Sequence, residues 1–145
     1  PTRPAGRNPA RSAFVAYSQS TKVRGREPIR LHPADAAARG VKSGDVVRVF
    51  NDPGSCLAGA VVSHAVRPGV VQLSTGAWYD PLDPADPGAM CVHGNPNVLT
   101  FDRGTSRLAQ GCSGQHALVQ VERWTGPLPS IRAYDPPAVE RRPLA

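Results

Sequence analysis

Short Val-rich runs that alternate with glycine- and proline-containing turns are the feature that most constrains this sequence. Three such runs lie at Val46–Phe50, Cys56–Ser63 and Val70–Ser74, and turn residues bound each of them. The 14 glycines and 16 prolines together exceed a fifth of the 145 residues, but they lie between the runs, which predicts many turns rather than disorder. A chain of this length can bury a core of its own. We therefore expect one mainly β domain with short helices.

Local patterns predict the remaining elements. Ile29–Leu31 is a short strand candidate, and Ala117–Arg123 alternates in the manner of a closing strand. Pro33–Gly40 predicts a compact helix, because proline suits the first turn, alanine has the best helix propensity and Gly40 suits a left-handed C-terminal position. Ser106–Gln110 predicts a second short helix with an anion-accepting N-terminal end. Tyr79–Asn97 predicts a long loop, which something it binds or packs on must order.

The composition changes at both ends of the chain. Residues 1–13 predict an extended or disordered lead-in, residues 14–125 the folded domain, and residues 126–145 a proline-rich C-terminal tail. Because the first residue is Pro1 rather than Met, we expect a processed chain or a piece of a longer protein. No apolar run approaches the ~18 residues of a membrane span, and no signal-peptide core is present, so we expect no membrane partner.

The charge balance favours an anionic partner. Seventeen basic against 11 acidic side chains give a formal net charge of +6, and many of the basic residues lie in the first 30 positions. One interpretation is solvated, flexible termini. The other is an anion- or nucleic-acid-binding module that uses Arg24, Arg26 and Arg30. The interleaved aromatic pattern of RNA-binding sheets is missing, so nucleic acid is the secondary interpretation.

Cysteine and histidine residues suggest two further kinds of site. Cys112, Ser113 and His116 lie close together, but the glycine spacing differs from that of a G-x-S-x-G nucleophile elbow. Zinc binds residues of the types found at Cys91, His93, Cys112 and His116, although C-x-H is too tight for a standard finger. The alternative is two cysteines in or near the core and two surface histidines. Three cysteines form no disulfide framework, and their odd number fits a reducing compartment or leaves a spare thiol.

Several loop segments share a chemistry that suits a nucleotide-like ligand. They supply amides, hydroxyls, carboxylates and aromatic faces, and they cover residues 76–81, 93–99, 102–106, 109–111 and 114–115. Such groups can hydrogen-bond to a purine edge, cap a pyrophosphate and stack on a ring, but the same residue types are also common in ordinary turns. There is no G-x-G-x-x-G and no Walker A loop, so a Rossmann or P-loop site is not expected.

Five stretches in consistent order carry a family resemblance. They are G-R-E-P-I-R-L-H-P-A-D-A-A-A-R-G (25–40), G-D-V-V-R-V-F-N-D (44–52), A-V-R-P-G-V-V (65–71), G-A-W-Y-D-P (76–81) and H-G-N-P-N-V-L-T-F-D-R-G-T-S-R-L-A-Q-G (93–111). With these stretches the chain resembles the C-terminal domain of molybdopterin-dependent oxidoreductases of the dimethyl sulfoxide / trimethylamine N-oxide / biotin sulfoxide reductase group. The closing L-P-S-I-R-A-Y-D-P-P (128–137) is most similar to the tail of biotin sulfoxide reductases.

The resemblance implies a fold, a cofactor and a set of partners. The implied fold is a double-psi β-barrel of the aspartate-decarboxylase-like type. It would cover one side of a bis(molybdopterin guanine dinucleotide) molybdenum cofactor whose metal ligand lies in another domain. The fragment alone would then be inactive and monomeric. Its partners would be the other domains of a reductase that removes oxygen from a small-molecule S-oxide or N-oxide. We expect a cytoplasmic protein, with the periplasm as the alternative.

The resemblance also implies roles for individual residues, but no catalytic residue and no metal ligand within this chain. Asn97 matches an asparagine that bonds the guanosine end, and Gly114 and Gln115 match a pair near the pterin. The other implied contacts are a phosphate or helix cap at Thr105 and Ser106, a cofactor wall at Trp78, Tyr79 and Asp80, and a pterin contact at Ser18 and Gln19, where the family usually reads Leu-His-Ser-Gln. No family role is implied for Cys91, Cys112 or His116.

Overall fold

The computed structural model describes residues 16–111 and 116–135. Its strands are β1 (Pro28–Leu31), β2 (Val46–Phe50), β3 (Ser55–Val62), β4 (Val71–Leu73) and β5 (Gln120–Arg123). Its helices are α1 (Ala16–Ser20), α2 (Pro33–Ala38) and a single 3₁₀ turn (Pro96–Leu99). The mainly β class with short helices is therefore confirmed. Helix α1 and the 3₁₀ turn were not predicted.

The five strands form one sheet in the order β4-β1-β3-β2-β5. Strands β1 and β3 are parallel, whereas β1–β4, β2–β3 and β2–β5 are antiparallel. The connection from β1 to its parallel partner β3 runs through α2 and β2. In the part of the chain that the structure describes, these strands form an open sheet. Barrel closure stays a proposal.

Strand β3 lies at the centre of the sheet and is buried on both faces. Every residue from Cys56 to Ala60 is buried, although a strand with one wet face would alternate. Val23 lies against β3, and a Cβ atom at Gly59 would overlap the Val23 side chain. Glycine at this position therefore permits the close approach of the 23–26 turn to the sheet. The core around β3 consists chiefly of Ile29, Leu31, Val47, Val49, Cys56, Ala58, Ala60 and Val121.

Helix α2 forms as the sequence predicts. His32 is its N-cap, and the Nδ1 atom of His32 accepts a hydrogen bond from the Ala34 amide at 3.2 Å. Pro33 occupies the first turn, where its missing amide hydrogen costs nothing. Gly40 follows the helix at φ +62°, the left-handed conformation that ends a helix without strain in glycine.

The helix predicted over Ser106–Gln110 is wrong, and a loop occupies this segment. The Ser106 hydroxyl accepts hydrogen bonds from the amides of Leu108 (3.1 Å) and Ala109 (2.9 Å). The Gln110 side chain accepts from the Thr105 amide at 2.8 Å and donates to the Ser106 carbonyl at 2.6 Å. These side chains form hydrogen bonds with backbone groups that would otherwise bond within a helix. The local side-chain bonds are therefore favoured over helix formation.

The long loop predicted over Tyr79–Asn97 is present and is ordered by packing on the sheet. Cys91 forms isolated bridges with Cys56 of β3 and with Pro81. The Leu82 amide donates to the Met90 carbonyl, and the Val92 amide donates to the Asp80 carbonyl, both at 2.8 Å. The loop therefore returns on itself and brings residues 78–82 beside residues 90–93.

Candidate functional site

The predicted cofactor wall, Trp78 to Asp80, lies on this returning loop. Tyr79 is 46% exposed and Trp78 is half-buried, so part of each residue reaches the surface. The Asp80 carboxylate is buried and accepts hydrogen bonds from the amides of Arg132 (2.5 Å) and Ala133 (2.9 Å). Part of each aromatic residue is therefore accessible, whereas the Asp80 carboxylate is bonded to the C-terminal residues Arg132 and Ala133.

A buried polar cluster of Lys22, Glu27, His93 and Tyr134 lies behind this wall. The Lys22 ammonium is 2.7 Å from the Glu27 carboxylate, and both side chains are almost fully buried. The Nε2 atom of His93 is 2.9 Å from the Lys22 ammonium and 2.9 Å from the Tyr134 hydroxyl. The sequence did not predict this cluster, because its members come from three distant segments.

The contacts of His93 fix the protonation state of its ring. Its Nδ1 atom lies 3.1 Å from the Trp78 carbonyl, which can only accept, so Nδ1 carries the hydrogen. Nε2 then accepts from Lys22 and Tyr134. Burial, and next the nearby Lys22 charge, lower the pKa of His93, and hydrogen bonding to Trp78 opposes this shift. His93 is thus a neutral, fully buried residue, and its interpretation as a surface histidine is wrong.

Asn97 lies in the 3₁₀ turn Pro96–Leu99, four residues after His93. The Asn95 side chain caps this turn by accepting from the Asn97 amide at 2.9 Å, and the Asn97 carbonyl accepts from the Thr100 hydroxyl at 2.8 Å. The Asn97 side chain is exposed and has no hydrogen-bond partner among the residues that the structure describes. The capped turn therefore presents the Asn97 carboxamide, with a donor and an acceptor, to the surface of the described structure.

A cleft of about 370 Å³ opens next to this turn. An aromatic residue, an arginine and two threonines are among its lining residues, which are Thr100, Phe101, Arg103, Gly104, Thr105, His116 and Ala117. The Thr105 hydroxyl accepts from the Gly111 amide at 2.6 Å and keeps its own hydrogen for donation. Ser106 is not part of the lining, because its hydroxyl is bonded within its own loop.

The predicted site residues fall into two groups. Asn97 and Thr105 lie at or beside the cleft, and Trp78, Tyr79 and Asp80 form the wall above the buried polar cluster. Residues 93–97 connect the two groups along the chain. Ser18 and Gln19 belong to α1, where Ser18 is buried and Gln19 is exposed, and the Gln19 carbonyl accepts from the Lys22 amide at 3.2 Å. Gly114 and Gln115 lie outside the described residues.

The chemistry of these groups fits a dinucleotide. A guanidinium and a hydroxyl in one cleft match a pyrophosphate, since arginine and hydroxyl donors bind phosphate oxygens. The Phe101 side chain, 49% exposed, offers a face for a ring. The exposed Asn97 amide supplies the donor and acceptor that a purine edge requires. The residues present therefore fit the cofactor that the resemblance implies.

Arg26, one of the three arginines of the nucleic-acid interpretation, is unsuited to bind phosphate. Its side chain is 2% exposed, and its guanidinium donates to the carbonyls of Arg24 at 3.0 Å and Pro129 at 2.7 Å. Burial lowers the pKa of Arg26, and the nearby Asp80 charge partly offsets this. Arg30 donates to Gln72 at 3.1 Å. Two of these three arginines, Arg26 and Arg30, therefore bond within the fold, and the nucleic-acid interpretation is not favoured.

The cysteines of the described segments are core residues. Cys56 and Cys91 are both free and fully buried, as one sequence interpretation held for Cys91. Burial, and then the neighbouring Cys91, raise the pKa of Cys56 to about 12, so its thiol stays protonated at neutral pH. Within residues 16–111 and 116–135, no three His, Cys, Asp or Glu side chains are placed to hold a metal ion. Cys112 lies outside these ranges.

No helix in the described ranges has both the length and the apolar character needed to cross a lipid bilayer.

Relatives of known activity match most of this chain. A trimethylamine-N-oxide reductase of Salmonella typhi is 52% identical over 120 residues, which is 83% of this chain and 14% of the relative. A dimethyl sulfoxide/trimethylamine N-oxide reductase of Cereibacter sphaeroides is 52% identical over 115 residues, or 79% of this chain and 14% of that protein. The chain thus spans about one seventh of the length of these relatives.

A protein-family model matches the same region of the chain as these relatives. It is described as the molydopterin dinucleotide binding domain and matches residues 3–118, a range that contains the cleft, the wall and Asn97. The trimethylamine-N-oxide reductase 1 of Escherichia coli strain K12 is 52% identical over 113 residues, which is 78% of this chain. The chain belongs to the molydopterin dinucleotide binding domain family.

Proposed function

We propose that this chain is the cofactor-binding domain of a larger molybdenum reductase that removes oxygen from N-oxides or S-oxides. Its relatives at about half sequence identity are reductases of these substrates, and the chain corresponds to about 14% of their length. The single observation that carries the proposal is the cleft beside Asn97, whose side chains match the parts of a dinucleotide. The implied double-psi barrel is part of the same proposal.

Each group of residues has a separate task in this proposal. The Asn97 amide binds the edge of the guanine base, while Arg103 and Thr105 bind the pyrophosphate. Trp78 and Tyr79 form the wall against which the pterin end lies. The bound cofactor supplies a metal centre that exchanges two electrons with the substrate, and its protein ligand comes from outside this chain. This chain therefore orients the cofactor, neutralises its charge and excludes water from it.

Narrower features of the proposal rest on sequence resemblance. The stretch 128–137 supports a substrate of the biotin sulfoxide type, whereas the relatives named above act on trimethylamine N-oxide and dimethyl sulfoxide. Ser18, Gln19, Gly114 and Gln115 stay proposed pterin contacts. A cytoplasmic location is likewise proposed, with the periplasm as its alternative.

The test is an Asn97→Ala substitution in the full-length enzyme, with Gln120→Ala as the matched control. Gln120 also carries an exposed side-chain amide, but it lies on strand β5. Removal of one or two hydrogen bonds, worth about 0.5–1.5 kcal/mol each, predicts a cofactor affinity that is lower by roughly twofold to a hundredfold. Guanine nucleotide and molybdenum content, measured after dialysis, should fall for Asn97→Ala alone. Equal content in both variants would contradict the assignment.

A further inference from the structure

Residues 128–135, at the end of the described chain, contact two other parts of the fold; we call this segment the C-terminal strap. It is fixed at one end by the Arg26 guanidinium, which donates to the Pro129 carbonyl at 2.7 Å. Near its middle, the Asp80 carboxylate accepts from two consecutive strap amides, and Arg132 donates to the Pro81 carbonyl at 2.8 Å. The strap therefore binds both the 23–26 turn and the loop that carries the wall.

The burial of the Arg26 guanidinium shows that its bond to the C-terminal strap is specific and carries a cost in free energy. Its side chain is almost completely buried, and its Nε atom has no hydrogen-bond partner in the described part of the chain. Burial of a guanidinium with an unsatisfied nitrogen is unfavourable unless its other contacts compensate. Two carbonyls and the nearby Asp80 charge provide that compensation. The strap carbonyl of Pro129 is thus part of what keeps Arg26 in place.

Tyr134 closes a triangle of contacts with Trp78 and His93. The His93 ring donates to the Trp78 carbonyl at 3.1 Å, and its other nitrogen lies 2.9 Å from the Tyr134 hydroxyl. The Tyr134 ring lies edge-on to His93 at 5.0 Å and tilted against the Trp78 ring at 5.6 Å. Trp78 is therefore held at its backbone by His93 and at its ring by Tyr134.

We propose that the C-terminal strap is a clamp on the Trp78–Pro81 loop and that Tyr134 is a positioning residue that sets the orientation of Trp78. Trp78 is neither fully buried nor exposed, and the Tyr134 ring is one of the groups packed against its ring. The clamp is a property of the chain itself. Its consequence for the cofactor rests on the proposed function, because there Trp78 is part of the cofactor wall.

Hydrogen exchange of the full-length protein tests the clamp directly. The amides of Leu82 and Val92 close the wall loop, so their exchange reports its opening. Tyr134→Ala should speed their exchange about tenfold or more, because it removes both the ring packing and the hydroxyl bond. Tyr134→Phe, which keeps the ring, should speed it by about twofold to tenfold. Ser130→Ala, an exposed strap residue, is the matched control and should change nothing.

Cofactor retention tests the positioning role. In the same full-length variants, the guanine nucleotide should dissociate faster from Tyr134→Ala on dilution, and Tyr134→Phe should restore most of the retention. Exchange at Leu82 and Val92 equal to that of the Ser130 control in both variants would overturn the clamp. Faster exchange with unchanged nucleotide retention would overturn the positioning role alone. A wild-type enzyme that holds no molybdopterin nucleotide would instead refute the proposed function and, with it, the positioning role, while exchange still decides the clamp.

Discussion

The ion pair between Lys22 and Glu27 gives the sharpest prediction about stability. Their charged atoms are 2.7 Å apart, and the two side chains are 3% and 0% exposed, so solvent cannot screen either charge. Lys22→Met keeps the length of the apolar stem and removes the ammonium. The Glu27 carboxylate is then buried without its compensating charge, and breaking a buried pair in this manner costs about 3–5 kcal/mol.

The double variant Lys22→Met/Glu27→Leu should behave differently. It removes both charges together, and replacement of a whole buried pair by apolar residues of similar volume is often neutral or stabilising by about 1–4 kcal/mol. His93 stays satisfied in both variants, because the Tyr134 hydroxyl still lies 2.9 Å from its Nε2 atom. The expected order of stability therefore places the single variant well below both the wild type and the double variant.

The assay is urea unfolding of the 145-residue chain, followed by far-ultraviolet circular dichroism. A loss of 3–5 kcal/mol is a large part of the ~5–15 kcal/mol that stabilises a domain of ordinary size, so the midpoint should move far to lower urea. A loss below about 1 kcal/mol for Lys22→Met, the value of an exposed pair, would refute the argument from burial. So would a double variant that is as unstable as the single one.

Two further predictions concern the same region. In the folded chain the pKa of His93 is below its ordinary value of 6.5, so the unfolded chain binds the proton more readily. The free energy of unfolding should therefore stay constant above neutral pH and fall as the pH decreases from about 6.5 toward the folded pKa. His93→Gln should remove that part of the pH dependence in urea titrations at several pH values. Gly59→Ala should lower the free energy of unfolding by about 1–3 kcal/mol, because its Cβ would overlap the Val23 Cβ. Val23→Ala keeps that Cβ and should recover little of the loss, whereas in a Val23→Gly background Gly59→Ala should cost much less; equal losses in the wild-type and Val23→Gly backgrounds would contradict the steric explanation.

Elements set by local chemistry were predictable from the sequence. Helix α2 has its proline, alanines and terminal glycine within eight residues, and the prediction of its C-terminal Gly40 in a left-handed conformation is confirmed. Strand β2, with three β-branched valines in five residues, is also found where predicted. In both segments, the deciding interactions lie within a few residues of one another, so a sequence pattern contains them.

The errors arose where the deciding contacts are distant or where side chains compete with the backbone. The burial of His93 depends on Lys22, 71 residues away, and on Tyr134, 41 residues away. The contact between Arg26 and the C-terminal strap spans 103 residues. Ser106 and Gln110 look compatible with a helix, but their side chains bond the local backbone instead. The aromatic wall was identified through the resemblance, and its support by the strap was visible only in the structure.

The most direct test of the central claim is an experimental structure of the full-length enzyme with its cofactor bound. We predict that the guanine edge lies within hydrogen-bonding distance, about 2.7–3.2 Å, of the Asn97 side-chain amide. The pyrophosphate should lie in the cleft that contains Arg103 and Thr105. A nucleotide held wholly by other domains, with the Asn97 amide in solvent and the cleft filled by water, would contradict the account.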